Sequence, residues 1–477
     1  MNVEAGTDQG AAERGRWRRG WSLVREALAG HERDYTQGGV GRAVLLLAIP
    51  MMLEMTMESL FAIVDIFFVS GLGADAIAAV GLTEAALTLL YAVAVGLSMG
   101  VTALVARRIG EGDREAAARV AGQTIWVGVL ASAVIGAAGI AYAEELLLVM
   151  GAAPAVVEQG TAFTALMLGG AVTILLLFLL NAIFRGAGNA ALAMRVLWLA
   201  NGINIVLDPC LIYGWGPFPE LGLTGAAVAT NIGRGIGVLY ALYYLAVGAG
   251  KLDLKLRHLA LAAGVMLRLL RVSAGGVFQF VIATSSYIVL MRIVADYGSA
   301  AVAGYTVAIR VVMFTFLPAW GLSNATATLV GQNLGAAHPQ RAEASVRCAA
   351  KYNVLFLVAI AVVFVLAPDA VIGIFSDDRA VLEYGAECLR IIAYGYGFYA
   401  VGMIVIQAFN GAGDTDTPTW VNLVCFWLFQ LPLAYFLAEH LGLGPTGVFW
   451  AVAIAESFMA VVAVVLFRRG RWKLKVV

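Results

Sequence analysis

Charged residues are scarce in this chain of 477 residues: only 13% are Asp, Glu, Lys or Arg, whereas 61% are hydrophobic. Soluble domains carry about 25% charged residues, so this composition excludes a water-soluble globular protein and requires lipid as the solvent. Cysteine and histidine are also rare, at four each, and their spacing forms neither a disulfide framework nor a zinc motif. We therefore expect no metal site, no cofactor and no nucleic-acid partner.

Apolar runs long enough to cross a bilayer fill nearly the whole chain. A transmembrane helix needs about 20 apolar residues, and these runs are too long and too continuous for the alternating strands of a β-barrel. The sequence therefore predicts an all-α, polytopic membrane protein, monomeric in the lipid bilayer, with twelve transmembrane helices in two pseudo-symmetric six-helix bundles. The predicted spans begin near Ala43, Ile77, Ala121, Ala162, Ala191, Leu223, Ala274, Ala300, Tyr352, Ala386, Pro418 and Gly447.

Basic residues lie on one side of the predicted spans. They cluster in the N-terminal segment, after spans two, four, six and eight, and in the C-terminal tail. Arg379 on the other side and the acidic loop from Asp414 to Thr417 are the exceptions. The positive-inside rule predicts cytoplasmic termini and a location in the inner (cytoplasmic) membrane. The first forty residues lack the apolar core of a cleavable signal peptide. Trp17, Trp21, Val24 and Leu28 share one helical face there, which fits a helix on the inner leaflet or a disordered basic tail.

Three segments of the first half recur 225 residues later, as Gly96 and Gly321, or Phe184 and Phe409, illustrate. One common offset in separate segments indicates a duplication. Six spans lie between equivalent points, so the two lobes share one topology and are related by an axis along the membrane normal, with a cleft between them that is typical of a carrier. The predicted division is a basic N-terminal segment (1–42), a first lobe (43–248), a cytoplasmic linker (249–272), a second lobe (273–467) and a basic tail (468–477).

Four sequence motifs resemble those of one transporter family. The segment from Gly321 to Arg347, GLSNATATLVGQNLGAAHPQRAEASVR, is similar to the signature after span eight of multidrug and toxic compound extrusion (MATE) transporters. Residues 64–69 (VDIFFV), 184–188 (FRGAG) and 204–209 (NIVLDP) agree with the same family, and the resemblance extends from about residue 36 onward. It implies a V-shaped pair of six-helix bundles, without enzyme activity, that exports small organic cations in exchange for H⁺ or Na⁺.

The same resemblance implies a cation site in the first lobe. The family's site residues match Asp65 in span one, Asn181 in span four, Asn204 and Asp208 in span five, and Thr230 in span six.

The second lobe matches the acidic positions of other family members poorly. Leu290 stands opposite Asp65, Leu431 opposite Asp208 and Trp427 opposite Asn204, which favours ion coupling through the first lobe.

The residues themselves support this assignment. Asn201, Asn204 and Asp208 are spaced i, i+3 and i+7, so they form one polar stripe on an apolar helix. An intramembrane carboxylate costs a few kcal/mol and faces the protein interior, and amide and hydroxyl oxygens beside it suit a small hard cation. Pro209 also leaves the carbonyl of Ile205 without its helical donor. An interhelical hydrogen-bond network without a transport role remains the alternative.

Span one carries a second polar stripe. Glu54, Glu58 and Asp65 lie within about 40° of one helical face, which fits either an accessory hydrated passage or structural pairing with arginine. Pro50 matches the family's first-helix proline, so we expect a bend there. Ion pairs between helices are expected for the remaining charges at membrane depth, which are Glu84, Arg292, Arg310 and Glu456.

Three functions fit these observations in decreasing order. The first is a secondary antiporter that exports amphipathic, cationic compounds by alternating access. The second is a lipid-linked precursor flippase of the same superfamily, for which an arginine-rich cleft is expected. The third is an intramembrane enzyme that uses Asp65 and Asp208 as an acid and a base, although the duplication and the lack of a nucleophile motif disfavour it.

Overall fold

The computed structural model describes residues 20–30, 33–248 and 252–475. Within those ranges the chain forms helices and no strand, which confirms the all-α prediction. Trp17 lies outside the described residues, whereas Trp21, Val24 and Leu28 lie on a short helix, α1 (20–29). The first-lobe helices that follow are α2 (Val40–Ser70), α3 (Ala74–Gly110), α4 (Arg114–Ala141), α5 (Ala143–Val149), α6 (Pro154–Gly169), α7 (Ala171–Ala187), α8 (Ala190–Tyr213) and α9 (Leu223–Val247).

The second lobe repeats this order. Its helices are α10 (Ala263–Ala295), α11 (Ser299–Gly335), α12 (Pro339–Leu366), α13 (Pro368–Ile372), α14 (Arg379–Tyr394), α15 (Tyr396–Gly411), α16 (Asp416–Asn422), α17 (Leu431–Tyr435) and α18 (Pro445–Arg468). Two π-helical segments, Leu423–Gln430 and Phe436–His440, flank α17 and join α16 to it in one crossing. Helix α10 begins at Ala263, inside the segment predicted to be the linker, so that linker ends earlier than expected.

Ten helical stretches among the described residues are long and apolar enough to cross a membrane, and the pair α14 and α15 forms an eleventh crossing that is bent by 60°. Helix α9, with 25 residues, spans about 37 Å at 1.5 Å per residue, more than the ~30 Å of a hydrocarbon core. Together these make the twelve predicted crossings. The break in the bent pair, at Gly395, is the counterpart of Gly170 between α6 and α7.

The two lobes meet at one end of the molecule. Helices α3 and α11 run toward that end and α2 and α10 start from it. Gly96 and Gly276 bring α3 against α10, Met51 on α2 meets Gly321 on α11, and Gly331 packs on Ala106. At the other end of the same helices large apolar side chains are exposed, such as Phe67, Leu89, Ile288 and Met313. The protein is therefore a V that is closed at the end bearing its described termini.

Helix α2 links the two lobes. Its first part, from Ala43 to Met51, belongs to a core shared with α11, α12 and α15 of the second lobe. Its later part packs on α8, where Trp198 donates to the carbonyl of Leu53 at 3.1 Å and Tyr213 donates to that of Phe68. The helix runs continuously through the buried Pro50, whose missing N–H leaves the Leu46 carbonyl without its helical donor.

The described N-terminal and C-terminal segments pack against the closed end of the molecule. Arg341 of α12 donates to backbone carbonyls of residues 35–38, and Arg195 of α8 donates to those that end α1, so the N-terminal segment touches both lobes. In the C-terminal tail, Lys475 pairs with Asp414 at 3.1 Å and Asp416 at 3.2 Å. Burial lowers the pKa of Lys475, but its hydrogen bonds to these carboxylates outweigh that effect and the pKa is raised. The tail therefore neutralises the acidic loop that broke the charge pattern.

The described part of the interlobe linker is docked rather than loose. Gln123 of α4 donates to the carbonyl of Ala260 at 2.9 Å and accepts from the amide of Ala262 at 3.0 Å. The buried His258 contacts Glu115 at 2.9 Å. These bonds hold the connection between the lobes against the first lobe.

The closed end depends on a symmetric pair of glycines, which generates the first prediction. A Cβ at Gly110 would collide with the Gln332 backbone, and one at its counterpart Gly335 with the Arg107 backbone. We expect Gly110→Val and Gly335→Val each to destabilise the protein by about 1–3 kcal/mol and to loosen this end. Thermal unfolding in detergent and labelling of a cysteine introduced at Ala106, above the background of the four native cysteines, measure the two effects.

Gly81→Val is the matched control, because nothing lies within 4 Å of a Cβ there. Equal unfolding temperatures and labelling rates for the Gly335 and Gly81 variants would show that the glycine contact does not hold the lobes together.

Candidate cation-coupling site

The centre of the site is formed by three buried side chains on α8 and α9. Asn204 donates through Nδ2 to Asp208 Oδ1 at 3.2 Å and to Thr230 Oγ1 at 3.0 Å. Asp208 is 0% exposed, Asn204 2% and Thr230 4%. The sequence spacing that placed Asn204 and Asp208 on one stripe thus brings them into direct contact, and Thr230, also named from the sequence, joins them from the next helix.

Glycines on α9 explain why these helices approach so closely. A Cβ at Gly233 would lie 2.5 Å from the carbonyl oxygen of Ala200, and one at Gly225 would collide with the Leu211 backbone. Small residues of this kind allow backbones to approach closely in membrane bundles. The polar side chains of α8 are therefore enclosed by α9 and shielded from lipid.

Two acceptor atoms in this centre have no donor. Asp208 Oδ2 and Asn204 Oδ1 are buried and make no hydrogen bond to any described residue. Burying an oxygen without a partner costs about 1–3 kcal/mol, and more for a charged group. Both atoms are of the hard oxygen type that H⁺ or Na⁺ satisfies.

Asp65 lies at the edge of this centre. It is half-buried on α2 and close enough for its charge to interact with that of Asp208, although it forms no hydrogen bond with another described residue. Asp65 and Asp208 therefore influence each other through charge, without a direct hydrogen bond between them.

The other predicted polar residues form separate clusters. Asn201 donates to Glu58 Oε2 at 3.0 Å. Asn181 lies against Glu54 instead of Asp208: its amide is 3.4 Å from Glu54 Oε1, which also accepts from Arg185 at 2.8 Å. Two side-chain oxygens, Oδ1 of Asn181 and Oε2 of Glu54, are buried without a donor among the described residues. Glu54 therefore pairs with an arginine, which is the structural one of the two roles expected for it from the sequence.

The sequence analysis missed Arg234. It lies on α9 at 6% exposure, donates to Tyr91 at 3.2 Å and sits over the ring of Phe61 at 5.8 Å. Its charge interacts with those of Glu58 and Asp65. The sequence feature that could have revealed it is a single arginine within a glycine-rich apolar run, because an intramembrane charge has to face the protein interior.

The interhelical ion pairs expected of four other charges are not found. Arg292 pairs with Asp296, one turn along its own helix, at 2.6 Å. Glu84 and Arg310 are both exposed, on opposite lobes, and interact only at longer range. Glu456 has no ion-pair partner among the described residues. The prediction of ion pairs that lock helices together was wrong here, because the V is open where Glu84 and Arg310 lie.

The second lobe contains no carboxyl where the first has its site. Leu290 is 3% exposed within the second-lobe core, and Leu431 packs against that core. Trp427 donates to the carbonyl of Ile282 at 3.2 Å. The polar centre on α8 and α9 therefore belongs to one lobe of a structurally duplicated protein.

A duplicated twelve-helix bundle with a polar centre enclosed in one lobe defines a membrane transporter, not an enzyme. The chain belongs to the MATE family: the family model MatE matches residues 50–210 and 277–436.

Relatives of known name agree over nearly the full length. The chain is 26% identical over 440 residues to "Probable multidrug resistance protein NorM" of Thermotoga maritima, covering 92% of this chain and 94% of the relative. It is 25% identical to "FAD transporter" of Shewanella oneidensis, covering 90% and 95%. Its homologues are transporters that export drugs and other compounds.

Solved structures agree as well. A crystal structure of MATE in complex with MaL6 matches with a TM-score of 0.86 and 27% identity, covering 92% of this chain and 99% of that one. The outward-facing conformation of a multidrug resistance MATE family transporter matches with the same TM-score and identity, covering 92% and 98%. The expected V-shaped fold is thereby confirmed.

The buried pair of Glu54 and Arg185 generates the second prediction. Their side chains are 2% and 10% exposed, so Glu54→Leu and Arg185→Leu should each leave an unpaired buried charge and destabilise the protein by about 3–5 kcal/mol. The double variant should recover much of that loss, because it buries no charge. Thermal or denaturant unfolding of the four proteins in one detergent measures the coupling, and additive losses would contradict a mutual pairing.

Proposed function

We propose that this protein is a secondary antiporter that exports amphipathic, cationic organic compounds in exchange for H⁺ or Na⁺. The observation that carries the proposal is the pair of donorless oxygens on Asp208 and Asn204, buried beside Thr230 and near the charge of Asp65. A buried carboxylate without a compensating charge is stable only when a cation neutralises it. The first lobe therefore binds a cation as part of its cycle.

The ligand set accommodates either coupling ion. H⁺ on the Asp208 carboxyl removes the charge and supplies a donor. Na⁺ would be held by oxygens of Asp208, Asn204 and Thr230, with Asp65 as a further carboxylate at the edge facing the cleft. In both cases Asn204 orients Asp208 through its amide, and α9 excludes water from the inner side.

The charges that line the cleft support a cationic cargo. The wall of the cleft carries Glu84 opposite Arg310, one charge of each sign, and the interior behind it is rich in carboxyls. This balance favours an organic cation over the phosphate groups of a lipid-linked precursor.

The distribution of basic residues sets the orientation that we propose. The closed end carries the arginines and lysines around α1, the α3–α4 connection and the tail, so we place it on the cytoplasmic side of the inner membrane. The cleft then opens outward. Export requires the lobes to separate at the glycine contacts and to close at the opposite end.

The third prediction is that removal of the Asp208 charge abolishes coupled transport. Asp208→Asn keeps the shape of the side chain but cannot exchange a proton or balance a cation, so coupled efflux should fall to the level of empty vesicles. Efflux of a fluorescent lipophilic cation from proteoliposomes with an imposed pH or sodium gradient measures it. The matched controls are Leu290→Asn and Leu431→Asn, which place amides at the second-lobe counterparts and should retain coupling. Equal efflux by wild type and Asp208→Asn at matched protein levels would refute the proposal.

Competition between the ion and the cargo gives the fourth prediction. If both neutralise the charge of Asp65 and Asp208, each must weaken the other's binding. Cation binding should therefore tighten as the pH rises and weaken when sodium is added. The apparent Kd of a lipophilic cation in nanodiscs, from acidic to alkaline buffer, measures this in wild type and in Asp65→Asn. A wild-type Kd that depends on neither pH nor sodium would exclude direct competition.

A further inference from the structure

A carboxyl in the second lobe, Glu456, lies where no site was expected. It is the twelfth of the 24 residues of α18, near the middle of the crossing. Phe449 and Ala463, seven residues before and after it, lie within about 20° of the same helical face, and both are 0% exposed. Glu456 therefore points into the second lobe and not toward lipid.

This carboxyl has no partner. Its Oε2 atom is buried without a hydrogen bond, and no described residue forms an ion pair or a hydrogen bond with Glu456. The side chain as a whole is only half-buried, so part of it reaches open space. An uncompensated carboxylate at this depth costs a few kcal/mol, and a proton is the simplest species that removes the cost.

Among the described residues, the groups that interact electrostatically with Glu456 are a phenol and a thiol, and neither is a cation. Tyr399 on α15 and Cys425 in the first π-helical segment are within electrostatic range, and Phe316 stacks on Tyr399 with ring centres 4.3 Å apart. Five charged groups on the elements around α18 are bonded to other residues: Glu387 to Thr446, Arg390 to Asp369, Glu439 to Tyr297, Asp416 to Lys475, and Arg292 to Asp296. A metal cation needs several oxygens, so these surroundings favour a proton.

The internal duplication gives Glu456 a counterpart. Gly222 and Gly444 both precede the last helix of their lobe with a φ of 57°, and this register aligns Arg234 of α9 with Glu456 of α18. Their neighbours correspond as well, because Tyr91, which accepts from Arg234, is the counterpart of Phe316. The two lobes thus carry charges of opposite sign at equivalent depth. Only the arginine has carboxylates within range.

The helix beside Glu456 is also irregular. Two segments of the preceding crossing, Leu423–Gln430 and Phe436–His440, are π-helical, and the first contains Cys425. Wide turns of this kind are rare and are frequent at functional sites.

We propose that Glu456 is a proton-binding site of the second lobe, which takes up one proton from the accessible side of its side chain and releases it during the transport cycle. Protonation converts the carboxylate to a neutral acid, with no other reactant involved. The role in transport rests on the proposed antiport, whereas proton binding itself does not. The second lobe then contributes to coupling at a position unrelated to Leu290 or Leu431.

Infrared difference spectroscopy between acidic and alkaline buffer tests proton binding, because only a protonated carboxyl shows the acid C=O stretch. We expect Glu456→Gln to lose one pH-dependent component of that band. Glu387→Gln, which alters another glutamate of the same lobe, and Asp208→Asn should both retain that component. Glu456→Asp should retain it at a shifted midpoint, which guards against a folding defect in the Gln variant. An unchanged acid band in Glu456→Gln would overturn the proposal.

Transport tests the coupling role. In proteoliposomes, Glu456→Gln should move one proton fewer per cargo molecule than wild type, whereas Glu387→Gln should match wild type. Loss of the infrared component with an unchanged proton-to-cargo ratio would refute the coupling role. If wild type itself shows no coupled transport, the antiport proposal fails, and the infrared component still decides whether Glu456 binds a proton.

Discussion

Every polar group inside a bilayer must find its partner within the protein, because hydrocarbon offers no hydrogen bonds. The backbone meets this condition by forming helices throughout the crossings. Side chains meet it in clusters turned away from lipid, such as Asn201 with Glu58, or Glu54 with Arg185. Against that background the unsatisfied atoms are informative. Those of Asp208, Asn204 and Glu456 are all acceptors, which is what a protein that binds and releases small cations would leave open.

The same constraint shapes the interface between the lobes. Because lipid tails are as apolar as leucine, there is little hydrophobic gain from packing one lobe on the other. Besides the core that α2 shares with the second lobe, the contact is made by backbone atoms brought close at glycines, and by polar links such as Gln332 to the carbonyl of Gly186 at 2.9 Å. Such a contact depends on the exact fit of the two backbones, which is why a side chain added at Gly110 or Gly335 would disrupt it. The hydrogen bonds from Arg195 and Arg341 to the N-terminal segment lie at this same end.

The sequence was sufficient for features that depend on one helix at a time. Composition gave the all-α class, the common offset gave the duplication, and the spacing of Asn204 and Asp208 gave the polar stripe that the structure contains. Features that depend on how helices rotate against each other were inaccessible. Asn181 of α7 turns toward Glu54 of α2, and no spacing within α7 indicates this. Arg234 and Glu456 each stand alone in an apolar run, and only packing distinguishes an arginine surrounded by acids from a glutamate without a partner.

Charge balance in the first lobe connects these observations. Apart from the exposed Glu84 on the wall of the cleft, its interior holds four carboxyls, those of Glu54, Glu58, Asp65 and Asp208, and two arginines, Arg185 and Arg234. When all are ionised, four negative and two positive charges leave two negative charges uncompensated. Interactions between charges in a low dielectric are too strong for that excess to persist. In the antiport that we propose, the coupling ion and the cationic cargo neutralise this excess. Because Arg185 pairs with Glu54, the proposal assigns the exchangeable charge to Glu58, Asp65 and Asp208 around Arg234. Arg234 neutralises part of this negative charge. The remainder is available for an ion or a cationic cargo to neutralise in turn.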